Sequence, residues 1–264
     1  MRSLLATFLA VGAAGLASAQ EVPTQGGTMG RSDATAFSSR EVDVAAPALG
    51  GYTERVLAGD LWRRTDLPLR DRSIVTAAAL IAGGHTASMP AYLRLALDSG
   101  VTPAELSEII THLAFYAGWP SAMSAASVAK SAFAERGIGA DQLAGPPGLL
   151  EVDEAAEKER AATVAQNLDG VAPGLRDYTN RVLFDEVWRR PGLAPRDRSL
   201  VTIGALIAGG KAAQLVGHLN KGLDNGLTKA DISAAITHLA FYAGWPNAMS
   251  AASVAKAVFE KRPG

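Results

Sequence analysis

The hydrophobic pattern of the chain is helical throughout. Between positions 74 and 82 apolar residues recur every three or four positions, and Gly83 and Gly84 end the predicted helix. The next predicted helix carries its apolar residues between Met89 and Leu97 and ends at Gly100. No segment alternates convincingly between apolar and polar residues as a half-buried strand would. The pattern therefore predicts an all-α fold.

Local signals indicate where some of these helices begin and how they pack. Thr102 stands three positions before Glu105, which is the spacing of a capping box, and Thr228 with Asp231 forms a weaker counterpart. A stripe of small residues follows Pro120 and would let another helix approach closely; its members are Ala122, Ala125, Ala126 and Ala129.

The chain contains an internal repeat. Residues 52–130 align with residues 178–256 at a constant offset of 126 without a gap, and 49 of the 79 aligned positions are identical. The identical positions include the unbroken run Thr111–Pro120 (THLAFYAGWP), which matches Thr237–Pro246. A repeat of this length predicts two copies of one helical domain. Because a two-fold interface uses the same patch on both partners, the alanine stripe and this block favour a pseudo-two-fold pair.

The repeat and the composition of its flanks define the predicted organisation. A signal peptide is expected over residues 1–19, a flexible leader over 20–40 and repeat one over 41–136. A linker is expected over 137–150 and repeat two over 151–264, beginning with a charged, alanine-rich helix.

The first residues have the form of a secretory signal. Arg2 precedes an apolar stretch from Leu4 to Leu16, and Ala17-Ser18-Ala19 is an A-x-A cleavage site. The alternative is a membrane anchor, but this stretch is shorter than the roughly 20 residues that a spanning helix needs. We expect an exported protein, periplasmic or secreted, with no membrane span after cleavage near Ala19.

Composition excludes several kinds of chemistry. The chain has 48% apolar and 19% charged residues, and its net charge of −1 gives no reason to expect nucleic acid as a partner. It contains no cysteine, so disulfides and thiol catalysis are excluded. No histidine pair has the close spacing of helical zinc ligands, and no phosphate-binding glycine loop is present, so neither a metal nor a cofactor is expected.

Four motifs resemble the carboxymuconolactone decarboxylase family, which shares the alkylhydroperoxidase-like fold. They are RDRSLVT (196–202), ALIAGG (205–210), LDNGLT (223–228) and the HLAFYAGWP block. Thiol-dependent relatives carry a Cys-x-x-Cys-x-x-x-His motif, whose positions here hold Lys211, Gln214 and His218 in repeat two. Repeat one holds His85, Ser88 and Tyr92 at those positions. The resemblance therefore implies the decarboxylase-like branch, without thiol peroxidase activity.

Decarboxylation needs a group that holds a carboxylate and an acid that protonates the carbon left behind, tasks that suit arginine and histidine. His218 is our first candidate for general acid/base, because it matches the family histidine and differs between the repeats. His112 and His238 are further catalytic candidates, although identity in both repeats also fits buried fold residues. Arg198 is the candidate for holding the reacting carboxylate, the alternative being an ion-pair cluster at a helix start.

The candidates for substrate binding carry cationic or aromatic side chains, each with a simpler structural alternative. Arginine and lysine could bind a carboxylate or stay in ion pairs and solvent, whereas the aromatic residues could line a pocket or pack in the core. These candidates are Arg72, Arg196, Lys211, Tyr242 and Trp245.

The functional hypothesis is a cofactor-free lyase or isomerase acting on a small carboxylated lactone or oxo-acid. The alternative is a non-catalytic binding or scaffold protein that retains the fold. Because repeat one has Tyr92 where repeat two has His218, one working centre is expected, to which repeat one lends His112 or Arg72. Single-domain relatives form rings, so we also expect a homo-oligomer, a trimer of two-domain chains.

Overall fold

The computed structural model describes residues 40–143 and 145–262, and within these ranges it contains helices and no strands. The predicted signal peptide and leader lie outside the described residues, apart from Arg40. Repeat one contains six α-helices: α1 (Arg40–Ala45), α2 (Pro47–Tyr52), α3 (Leu69–Ala82), α4 (Met89–Asp98), α5 (Pro103–Tyr116) and α6 (Trp119–Glu135).

Repeat two has the same order of six helices, with the longer helix α7 where repeat one has the short α1. The helices are α7 (Glu154–Leu168), α8 (Pro173–Tyr178), α9 (Pro195–Ala208), α10 (Ala212–Asp224), α11 (Lys229–Ala243) and α12 (Trp245–Lys261). Short 3-10 turns cover Leu61–Arg63, Ala140–Gln142 and Val187–Arg189, and single π-helical turns cover Thr53–Ala58 and Thr179–Phe184. The predicted all-α fold and its tandem arrangement are confirmed.

Helix starts follow the sequence signals. Thr102 accepts a hydrogen bond from the backbone of Glu105, whose carboxylate accepts one from the backbone of Thr102, and Thr228 forms the same box with Asp231. Helix α7 begins three residues later than the charged segment itself, because Asp153 accepts hydrogen bonds from two backbone N–H groups of its first turn.

The two repeats pack through their equivalent helices α3 and α9, which lie against each other at the centre of the molecule. At Gly204 a Cβ atom would stand 3.3 Å from the Cβ of Ala78, so the absence of a side chain there allows the close approach. Helix α5 also packs on α9, and α11 packs on α3 in return. This reciprocal packing is the pseudo-two-fold arrangement that the repeat predicted.

The alanine stripe does not form the contact between repeats, contrary to our expectation. Ala122, Ala125 and Ala129 are buried inside repeat one, where α6 packs on α4 and α5, and Ala126 is exposed. The HLAFYAGWP block does reach the other repeat, through His112 and its counterpart.

Ion pairs also join the repeats. Arg70 pairs with Asp197 at 2.8 Å, and Arg196 pairs with Asp71 at 2.6 Å. Because both aspartates are almost fully buried, these reciprocal pairs fix how the starts of α3 and α9 meet. Among the described residues no helix is long and apolar enough to cross a membrane.

Candidate active site between the repeats

The side chains around His218 come from both repeats. Helix α10 carries His218, whose ring lies 6.0 Å from Trp188 and nearly parallel to it, at 11°. Helix α5 of repeat one supplies Tyr116, whose ring meets His218 edge-on at 5.2 Å. His112 lies on the same helix, 4.8 Å from Tyr116 and 5.2 Å from Trp188. The site is therefore composite, with walls from each copy.

His112 is held as a neutral imidazole of defined tautomer. Its Nε2 lies 2.7 Å from the hydroxyl of Thr202, and that hydroxyl donates its own proton to the carbonyl of Arg198. Nε2 must therefore donate, which leaves Nδ1 as an acceptor facing the Arg198 guanidinium at 3.4 Å. Burial, with Arg198 adding to it, holds the pKa of His112 well below its ordinary value.

Arg198 is fully buried and largely engaged by the protein itself. One terminal nitrogen donates to the carbonyl of Arg190 at 2.8 Å and to Glu108 at 3.3 Å. Glu108 in turn accepts three hydrogen bonds from the side chain of Arg190. Burial opposes ionisation of Glu108, but the two arginines outweigh it and lower the pKa of this carboxyl. This geometry orients His112 and leaves little of Arg198 to bind substrate.

His218 is half-buried and, unlike the buried His112 and His238, makes no hydrogen bond within the described residues. Its Nδ1 is buried and has no hydrogen-bond partner in the described parts of the chain. Burial, followed by the charge of Lys221, lowers the pKa of His218 from 6.5 to about 4. The imidazole is therefore neutral at pH 7, whereas its ordinary pKa would leave about a quarter of it protonated.

The equivalent region around Tyr92 is closed by internal hydrogen bonds. Tyr242 donates to the hydroxyl of Tyr92 at 3.1 Å and accepts from the indole of Trp62 at 2.7 Å. His238 bonds Thr76 at 2.7 Å, just as His112 bonds Thr202. These contacts engage both tyrosine hydroxyls and Nε2 of His238, while Nδ1 of His238 is buried without a hydrogen-bond partner in the described parts of the chain.

Four positions that differ between the repeats converge on these two regions. The residues at these positions of the His218 region are His218, Lys221, Phe184 and Glu108. In the same order, the equivalent residues of the Tyr92 region are Tyr92, Leu95, Ala58 and Ala234, which are uncharged. Charge and a titratable ring are therefore concentrated at one of the two composite regions.

The remaining sequence candidates lie elsewhere. Arg72 donates to three backbone carbonyls beside His238, in the region of Tyr242, and does not reach His218. Arg196 takes part in the ion pairs between the repeats, and Lys211 is exposed at the start of α10. Trp245 is 57% exposed and packs edge-on against Phe241. Of our two suggestions for the residue lent by repeat one, the structure brings His112 to His218.

Sequence reasoning missed several residues of the site. Trp188 has an identical counterpart in repeat one, so internal comparison gives no signal for it. Lys221, Phe184 and Glu108 do differ between repeats, and that comparison could have found them alongside His218.

A cavity of about 380 Å³ adjoins the His218 region. It is lined by Phe184, Trp188 and Lys221 on one side and by the inter-repeat residues 150–157 on the other. Two other grooves lie between α5 and α6 and between α11 and α12, and no histidine lines either groove or the cavity. Within the described ranges, no group of three or more histidine, aspartate or glutamate side chains could hold a metal ion.

Comparison with known proteins agrees with this architecture. The model of the carboxymuconolactone decarboxylase family matches residues 47–131 and 173–257, one segment in each repeat. Since the two segments cover more than half of the chain, the protein belongs to this family.

Two curated relatives match parts of the chain. The 4-carboxymuconolactone decarboxylase of Acinetobacter baylyi is 38% identical over 95 residues, which cover 36% of this chain and 71% of that protein. The nitrosuccinic acid decarboxylase npaB of Metarhizium robertsii is 44% identical over 66 residues, or 25% of this chain and 46% of that protein.

A solved structure shares the fold of most of the chain. It is described provisionally as a gamma-carboxymuconolactone decarboxylase subunit of Burkholderia xenovorans LB400. The structural match covers 88% of this chain and 96% of the other chain, with a TM-score of 0.50 and 17% sequence identity.

Proposed function

We propose that the protein is a carboxy-lyase that removes carbon dioxide from a small carboxylated lactone or oxo-acid at the composite site around His218. The observation that carries the proposal is a half-buried imidazole that makes no hydrogen bond within the described residues and lies between aromatic walls from both repeats. The two curated relatives are named as decarboxylases, which supports the same reaction class.

The site suits both halves of the reaction. Loss of carbon dioxide moves negative charge from a carboxylate into a delocalised carbanion, and aromatic walls exclude the water that would stabilise the starting carboxylate. The carbanion then takes a proton from an acid. We propose that an anionic substrate beside His218 raises the low pKa of this imidazole, which binds a proton, delivers it to carbon and regains one from solvent.

The test is a screen of carboxylated lactones and oxo-acids for carbon dioxide release. We expect His218→Ala to lower turnover by roughly two to four orders of magnitude, the size usual for losing a general acid and its hydrogen bonds. Tyr92→Phe is the matched control at the equivalent position and should change turnover little. Circular dichroism checks that both variants keep their helices.

The outcomes separate the alternatives. Equal losses from the two substitutions would mean that both composite regions are catalytic. Full turnover in His218→Ala would remove this residue from the mechanism. Binding without carbon dioxide release across the whole screen would favour the non-catalytic binding protein.

We also propose that the protein is exported and that three chains assemble into a ring of six domains. Export rests on the signal-like first 19 residues. Assembly is supported by apolar side chains that are exposed at equivalent positions of both repeats, namely Trp119 and Met123 with Trp245 and Met249. Burial of such matched surfaces is what a symmetric oligomer requires.

A further inference from the structure

The inter-repeat helix α7 adds charged side chains to the edge of the candidate active site. Arg160 of α7 lies over the ring of Phe184, with its guanidinium carbon 4.0 Å from the ring centre. Lys221 lies 5.8 Å from the same ring and 5.0 Å from the ring of Trp188. Two cations from different helices therefore flank the aromatic wall that also contacts His218.

A carboxylate of the protein already bridges these cations. Glu157 of α7 accepts from Nε of Arg160 at 2.6 Å and lies 3.7 Å from Nζ of Lys221. The contact to Lys221 is longer than a direct hydrogen bond, so the ammonium group retains donors for another anion. The arrangement shows that a carboxylate fits between the two side chains.

The other charged groups around this cavity have different engagements. Asp153 caps α7 and Asp224 pairs with Arg262, which leaves Glu151 as an exposed carboxylate at the edge. Arg189 donates from Nε to the carbonyl of Leu150. Of the carboxylates lining the cavity, Glu157 is the one paired with Lys221 in the described structure.

Both cations are also close to the candidate catalytic groups. The charge of Lys221 contributes to the lowered pKa of His218. Burial raises the pKa of Tyr116, and the charge of Arg160 acts against that rise. An anion bound between Lys221 and Arg160 would therefore lie within electrostatic reach of the reacting group.

The segment that carries Arg160 and Glu157 lies outside the parts of the chain that match the family model. Residues 150–160 lie between the two segments that match the family model, 47–131 and 173–257. Lys221 falls inside the second segment, but repeat one has Leu95 at the equivalent position. These residues are therefore suited to setting specificity rather than maintaining the fold.

We propose that Lys221 and Arg160 form a subsite for a second anionic group of the substrate, one that does not react, and that Glu157 competes with it. This subsite selects substrates carrying a carboxylate beyond the one that is lost. The inference rests on the proposed function for the identity of the reacting group, but its test needs binding alone.

The test is calorimetric titration of the full chain with succinate, a small dicarboxylate, in low-salt buffer. Lys221→Leu introduces the residue found in repeat one and should weaken binding by about tenfold or more, as expected for one lost charge-assisted contact. Glu157→Gln should tighten binding by about threefold or more, because it removes the competing charge. Lys158→Met, at an exposed lysine on the same helix, is the control and should bind as the unchanged protein does.

Lys221→Leu and Glu157→Gln are expected to change the affinity for succinate in opposite directions. The test is therefore decisive, since a misfolded protein cannot bind succinate more tightly. Equal weakening by Lys221→Leu and Lys158→Met would overturn the subsite. Weaker or unchanged binding in Glu157→Gln would overturn it too. The same holds if succinate binds neither the unchanged protein nor Glu157→Gln. Succinate binding that follows the expected pattern without any carbon dioxide release would reject only the proposed function.

Discussion

Protonation of His218 should make the protein unstable in acid. The folded structure lowers the pKa of this imidazole from 6.5 to about 4, chiefly by burial. An unfolded chain restores the ordinary value, so the unfolded state binds the proton more tightly. Stability linked to His218 is therefore complete above pH 6.5 and is lost as the pH falls from 6.5 towards 4.

The size of this loss follows from the two pKa values. Between pH 7 and pH 4, protonation of this one group lowers the free energy of unfolding by about 3 kcal/mol. That is a large part of the 5–15 kcal/mol typical of a folded domain. His112 and His238 are also buried with lowered pKa values, so the whole protein should lose more than this one contribution.

Replacing His218 isolates its contribution. His218→Tyr introduces the residue that repeat one has at the equivalent position, and this residue does not titrate between pH 4 and pH 7. Urea unfolding of both proteins at pH 7 and pH 4 gives the loss for each. We expect the variant to lose about 3 kcal/mol less, while Tyr92→Phe keeps the original acid response. The same acid loss with and without His218 would refute the reasoning.

Three further predictions concern stability and assembly. Glu108→Ala should lower the free energy of unfolding by about 3–5 kcal/mol, because it leaves Arg198 buried without its carboxylate; a loss below about 1 kcal/mol in urea unfolding would contradict this. Thr102→Ala should cost about 1 kcal/mol by removing the cap of α5, measured in the same way. Light scattering should show a trimer that Trp119→Ser combined with Trp245→Ser dissociates, and a monomer of the unchanged protein at micromolar concentration would contradict the proposed ring.

The helices and the duplication could be predicted from the sequence because both are local properties. Apolar spacing places α3 and α4 without knowledge of their neighbours, and the capping box at Thr102 fixes the start of α5. The pairing of the repeats also followed from their identity. Its contact surface did not, because small residues such as Ala125 serve packing within a repeat as well as packing between repeats.

The composition of the site could not be predicted in the same way. A pairwise alignment of the repeats treats His218 and its neighbours as belonging to repeat two, whereas the fold brings Tyr116 and Glu108 across from repeat one. Burial also changed the meaning of individual residues. Arg198 is engaged by Glu108 and by the carbonyl of Arg190, and His218 has a pKa well below the one that suggested it as an acid.

The duplication separates residues that maintain the fold from residues that give one region its chemistry. Each composite region has a histidine hydrogen-bonded to a threonine, a buried arginine, and a tyrosine whose hydroxyl accepts a hydrogen bond from a tryptophan. These residues are His112, Arg198 and Tyr116 in one region and His238, Arg72 and Tyr242 in the other. Identical residues in such different surroundings indicate a structural requirement of the paired domains.

The differing residues have the opposite significance. At Tyr92 the ring and its hydroxyl take part in a hydrogen-bonded network, whereas His218 makes no hydrogen bond within the described residues and faces aromatic side chains near Lys221. A buried polar atom without a partner destabilises the fold, and this cost applies to Nδ1 of His238 as well as to Nδ1 of His218. What distinguishes His218 is that neither of its ring nitrogens is hydrogen-bonded within the described residues, and the proposed binding and proton transfer make use of that imidazole.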